Sequence, residues 1–287
     1  MSNSVSFSQL SMYGNCNYQW YLTYVKKLSE SKQTIHLLFG SSMHTVLQNY
    51  LYVVYNNSAK SADELDLSVM LKEQLSKNFT KAKDMTGKEP CTKEELIEFY
   101  KDGIEIINYL KKHRNVYFSK KGFELLGTEI HLKCSLNNNI EFTGYIDIAI
   151  KNIVQNKIKI TDFKTSTNGW KDYQKKDDNK TSQLLLYKKF YAEKFNFPVE
   201  NIEVEFIILK RKLYEEAEFP QKRIQRFSPA SGKPSINKAT AKLNEFVNTC
   251  FTEDGHFNED RIYLKADDIN KCRFCEYNNT IKCDHKN

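Results

Sequence analysis

A chain of 287 residues, 40% hydrophobic and 13% aromatic, is long enough for one large domain or two modest ones and can bury a sizeable core, which excludes a disordered or fibrous protein. Its formal net charge of +7, from 43 Lys and Arg against 36 Asp and Glu, favours an anionic partner, with nucleic acid first and an acidic surface second. No basic stretch leading into an apolar core opens the chain, and no apolar run approaches the roughly 20 residues of a membrane span, so the expectation is a soluble cytoplasmic protein. With 5 Pro, 10 Gly and no repeat, one interwoven domain is expected over 1–287. Seven cysteines argue against a disulfide framework and for thiols or metal ligands. Cys91, Cys134 and Cys250 are isolated, whereas Cys272, Cys275 and Cys283 crowd the C-terminus.

An N-terminal segment, 1–39, carries Cys16. In "FGSSMHTVLQNYLYVVY", Ser41 or Ser42 reads as an N-cap, followed by His44, Leu47, Leu51 and Val54 at helical spacing, which places His44 inward in the first turn. Residues 62–83 are also helical in pattern. "CTKEELIEFYKDGIEIINYLKKH" opens with a capping box, Thr92 to Glu95, and aligns Leu96, Phe99, Gly103, Ile106 and Leu110 on one stripe. Residues 40–115 therefore form a predicted helical region.

The pattern then changes. "FELLGTEIHLKC", "IEFTGYIDIAIKN" and "KIKITDFKT" alternate and are separated by turn-forming stretches, predicting three successive antiparallel strands. In the second, Phe142, Gly144, Ile146, Ile148 and Ile150 fall on one face and Tyr145, Asp147 and Ala149 on the other. An amphipathic helix, "TSQLLLYKKFYAEKF", and an apolar strand, "IEVEFIILKRKL", complete an α/β core with a mixed sheet over 120–230. Residues 231–287 supply a last helix and the cysteine cluster.

Chemistry concentrates in two strands. Asp162 and Lys164, two residues apart in "ITDFKT", share a face, and Asp147 in "GYIDI" stands one hairpin upstream. Two neighbouring carboxylates raise each other's pKa unless a cation lies between them, so they invite Mg²⁺ or Mn²⁺, with Lys164 facing a water or phosphate. That is equipment for phosphodiester hydrolysis. The segment 210–226, with Lys210, Arg211, Lys212, Lys222, Arg223 and Arg226, reads either as a solvated hairpin or as a phosphate-contacting strand pair whose Tyr214 and Phe227 stack on bases. "GWKDYQKK" reads either as a mobile loop over the site or as a segment anchored in the core by Trp170.

Taken in order, "SFSQLSMYGNC", "FGSSMH", "GYIDI", "ITDFKT", "SQLLLY" and the terminal cysteines resemble the PD-(D/E)xK nucleases, specifically the RecB-like branch with its AddB-type and CRISPR-associated exonucleases. The resemblance implies a restriction-endonuclease-like core, a metal-dependent nuclease acting on DNA, single-stranded or with a free end, in recombination, repair or processing, and a helicase or recombination partner. It implies His44, Asp147, Asp162 and the Phe163 carbonyl as metal ligands and Lys164 as the catalytic lysine. Gln183 and Tyr187 match a Q-x-x-x-Y motif beside the site. Glu129 is a candidate extra acid, with Glu124 and Glu141 competing. Cys16, Cys272, Cys275 and Cys283 match the layout of a [4Fe–4S] staple between the chain's ends, a closure worth roughly 5 kcal/mol by chain entropy. Asn17 in place of the family's usual Pro, and a long C-x₇-C spacing, leave zinc as the alternative, with His285 as a further ligand. The other class of reading is a non-catalytic DNA-binding scaffold. The intact set of His44, Asp147, Asp162 and Lys164 favours the enzyme.

Overall fold

The computed structural model describes residues 4–29, 33–273 and 275–283. The short β1 (Ser4–Ser6) leads into α1 (Phe7–Asn15) and α2 (Asn17–Trp20). A helical layer follows: α3 (Ile35–Asn56), α4 (Ala59–Asp63), α5 (Leu67–Thr86), α6 (Lys93–Lys112) and α7 (Arg114–Tyr117). Then come β2 (Phe123–Ser135), β3 (Glu141–Asn152), β4 (Lys157–Ser166), α8 (Asp172–Lys175), α9 (Asp178–Lys194), β5 (Ile202–Lys210), β6 (Ile224–Phe227) and α10 (Lys233–Cys250). No helix among these residues is long and apolar enough to cross a membrane.

The six strands form one mixed sheet with a core on each face. Ile148, Ile150, Phe163, Ile207 and Leu209 pack under α3, α5 and α6. Phe142, Ile146, Ile160, Phe206 and Ile208 pack under α1, α9 and α10. On α6, Gly103 admits its neighbours: a Cβ there would lie 2.5 Å from Leu71 and 3.1 Å from Phe39, so the glycine sets the close approach of α3, α5 and α6. The Thr92–Glu95 capping box is formed in both directions.

Two local expectations are corrected. The helix carrying His44 begins at Ile35, not at Ser41 or Ser42, because Ile35, Leu38 and Phe39 extend its buried stripe and outweigh the start signal of the Gly-Ser-Ser run. Ser42 is fully buried and donates to the Leu38 carbonyl, and His44 lies well inside the helix. The regular alternation along β3 also fails. Ile146 packs under α9 but Ile148 under α3, so the strand rotates between them, opposite Glu129, whose φ of 50° breaks the pleat of β2.

The sheet forks at this rotation. β2 follows β3 along its whole length, while β4, which runs beside β5 from Ile158 to Ser166, pairs with β3 only from Asn152↔Lys157 to Ile148↔Thr161. The vacated edge of β3 is taken up again at Glu141–Thr143 by β1. Among the described residues, 144–147 therefore have no strand partner on that edge.

Candidate active site

Asp147 ends the unpaired stretch of β3, and Asp162 and Lys164 follow Thr161, the last residue of β4 paired with β3, so the fork brings the three together. Both carboxylates are buried, at 6% and 3% exposure. Asp147 Oδ2 accepts the Phe163 amide at 2.7 Å. A strand residue's N–H and C=O point to the same edge, so the Phe163 carbonyl also faces the fork while its ring fills the core under α3. Asp147 Oδ1 lies 3.3 Å from His44 Nδ1. Burial pulls the imidazole down, but the hydrogen bond and charge of Asp147, with the charge of Asp162, leave His44 above its ordinary value.

Lys164 Nζ stands 2.7 Å from Asp162 Oδ2 and forms an ion pair with this buried oxygen. Burial raises Asp162 to about 6, an effect Lys164 opposes and Asp147 reinforces. No group of three or more His, Cys, Asp or Glu that could hold a metal ion is already assembled among the described residues.

Gln183 and Tyr187, one turn apart on α9, close the open edge of β3. Gln183 donates to the Tyr187 hydroxyl at 3.2 Å, and the Tyr187 ring lies against the β3 backbone at Gly144. Gly144 makes this possible, since a Cβ there would lie 2.7 Å from the Tyr187 ring. Burial pushes the phenol up to about 12, so it remains protonated. Gln183 and Lys164 line a cleft of about 460 Å³ together with Ser11, Asn15, Trp170 and Lys180.

Of the three competing acids, Glu129 is the one beside the site. Gln48, on α3 one turn beyond His44, donates to Glu129 at 2.6 Å and to the Asp147 carbonyl at 3.4 Å. Glu124 lies across from Lys151, and Glu141 pairs with Lys133. Gln48 itself was not read from sequence; its place one turn after His44 on the buried stripe was the available signal.

Four of the six basic residues of the 210–226 segment are engaged in ion pairs. Arg211 and Lys212 grip Asp102 of α6 at 2.8 and 2.9 Å, Lys212 also holds Glu98, Arg223 reaches Glu105, and Arg226 pairs with Glu205. Phe227 stacks on Phe206 within the core region. Trp170 is an anchor, 9% exposed, packed on Phe206 and bonded through both backbone groups to Gln225.

Cys16, Cys272, Cys275 and Cys283 line one small cavity. Burial raises the thiols of Cys272 and Cys275; Cys16 adds to both, and the Tyr277 and Asn278 amides oppose the shift at Cys275. The chain ends are stitched together around it: the Tyr18 hydroxyl donates to the Lys282 carbonyl, and Thr23 meets the Tyr277 hydroxyl at 3.1 Å. His285 lies outside the described residues.

The profile of the PD-(D/E)XK nuclease superfamily matches residues 4–280, nearly the whole chain. No curated protein matches it.

Proposed function

Because the chain belongs to the PD-(D/E)XK nuclease superfamily, we propose that it is a Mg²⁺- or Mn²⁺-dependent deoxyribonuclease of the RecB-like branch, an exonuclease that acts on free DNA ends in repair or recombination beside a helicase or recombination partner. The observation that carries this reading is the pair of buried carboxylates at the fork, Asp147 and Asp162, beside His44 and Lys164. Two such charges are costly side by side and are neutralised best by a hard cation.

His44, Asp147, Asp162 and the Phe163 carbonyl would hold the ion, with Glu129 as the extra acid. When bound, it acidifies a water and stabilises charge on the phosphate. Lys164, at 33% side-chain exposure, reaches past Asp162 towards solvent and positions the attacking water while offsetting charge on the phosphate. Gln183 and Tyr187 would cap the unpaired edge of β3 and keep Asp147 in register. Incubating the protein with end-labelled linear and with circular single-stranded DNA tests the reading. Degradation of the linear form alone in Mg²⁺ or Mn²⁺ is expected; equal cutting of circles would make the enzyme an endonuclease.

The four cysteines around their shared cavity support a structural [4Fe–4S] cluster, with zinc as the alternative. Protein prepared without oxygen should contain iron and absorb broadly in the blue. Cys16→Ser should lose the metal and loosen the C-terminal segment, whereas Cys91→Ser, in a separate part of the fold, should keep it. Zinc without iron would overturn the cluster, and full metal content in Cys16→Ser would overturn the staple.

A further inference from the structure

The unpaired stretch of β3 carries one large exposed side chain. Tyr145 is 52% exposed and lies two residues before Asp147, about 7 Å along the strand at the ordinary rise. The backbone pairing sets it directly across from His131 of β2, and the two rings stack with centroids 4.6 Å apart and planes 14° from parallel. His131 is itself held by the Thr143 hydroxyl at 2.9 Å. Before the rotation at the fork, odd-numbered residues of both strands point to the face that α3 covers further along, so Tyr145, His131, Asp147 and Glu129 share one face. β2 lies on one side of β3 and the fork on the other, and His131 covers the β2 side of the Tyr145 ring. The uncovered side of that ring is turned towards the fork.

We propose that Tyr145, braced by His131, is a stacking subsite for an unpaired nucleobase adjacent to the phosphate cleaved at the fork, which selects single strands or frayed ends as substrate. This rests on the nuclease reading above. The distance from Tyr145 to Asp147 is about the span of one nucleotide in an extended strand, so a phosphate at the carboxylates brings a neighbouring base to the ring. A base inside a duplex has both faces covered by its neighbours and cannot stack there; an unpaired base can. The contact is sequence-tolerant, since every base presents a π-face. A cross-strand aromatic pair also steadies a sheet, but that role needs no open ring face at the fork and changes stability alone.

The test uses the full chain and single-stranded oligonucleotides. Tyr145→Ala should raise KM about ten- to a hundredfold with kcat nearly constant, and Tyr145→Phe should restore it. A single abasic residue walked along the substrate should weaken the wild type at one position next to the cut and leave Tyr145→Ala unaffected there. A second measurement does not need cleavage: in EDTA, the fluorescence of 2-aminopurine at that position should be quenched on binding to the wild type and not to Tyr145→Ala. An unchanged KM with quenching retained in Tyr145→Ala overturns the subsite and spares the nuclease. Wild-type protein that quenches without cleaving supports the subsite while the nuclease reading fails. Wild-type protein that neither binds nor cleaves overturns both.

Discussion

Asp162→Asn and Lys164→Ala are each expected to lower the cleavage rate by about 10²–10³-fold or more, the scale on which single charge-stabilising groups contribute, while single-stranded DNA should still bind. The two differ in what they do to the fold. Asp162 holds a carboxylate at 3% exposure whose ionised form burial and Asp147 disfavour more than Lys164 favours it, so the neutral amide removes a desolvation cost. The metal-free Asp162→Asn protein is therefore expected to unfold at the same temperature as the wild type or higher. Mn²⁺ should raise the unfolding temperature of the wild type by mass action and leave that of Asp162→Asn unmoved. Activity and stability should part company in this way because the site is built for charge. A variant that lost activity by unfolding would show the reverse, a lower unfolding temperature in the absence of metal.

The largest stability loss outside the apolar core is expected at Asp102. Its carboxylate, 8% exposed, takes Arg211 on one oxygen and Lys212 on the other, and Arg211 also lies 3.5 Å above the Phe99 ring. Asp102→Ala strands a buried guanidinium and should cost about 3–5 kcal/mol, readable as a lower urea midpoint. Replacing Asp102 and Arg211 together by Leu should cost much less, since no buried charge is then left unpaired. Equal losses in the single and double variants would show that the pair contributes packing alone. These contacts tie α6 to the chain just past β5, where the Arg211 amide bonds to the Ser166 carbonyl at the end of β4. The helical layer is thereby fastened to the strand that carries Asp162 and Lys164.

Much of this was legible locally. The Thr92–Glu95 box sets the start of α6 with residues three apart, and the D-x-K spacing fixes a shared face from strand geometry alone. The gathering of Cys16 with the C-terminal cysteines was read from a resemblance in layout, not from spacing. The fork was not legible, because it arises from β1 and β4 dividing one edge of β3, a competition between segments more than a hundred residues apart in sequence. The ion pairs of the basic segment were not legible for a related reason: Arg211, Lys212 and Arg223 meet Asp102, Glu98 and Glu105, which lie on a helix far upstream. The start of α3 misled because Gly40 and the two serines signal a boundary that burial of Ile35, Leu38 and Phe39 overrides. The Tyr145–His131 stack, finally, depends on strand register, which alternation suggests only to within a residue or two.

The central claim is that a divalent cation at the fork enables hydrolysis. It is tested most directly by titrating Mn²⁺ into EDTA-treated protein while following both bound Mn²⁺, by electron paramagnetic resonance, and cleavage of a single-stranded oligonucleotide. Binding and cleavage should rise over the same concentration range in the wild type and both should vanish in Asp162→Asn. Cleavage that persists in EDTA, or that rises with Mn²⁺ in Asp162→Asn as it does in the wild type, would contradict it.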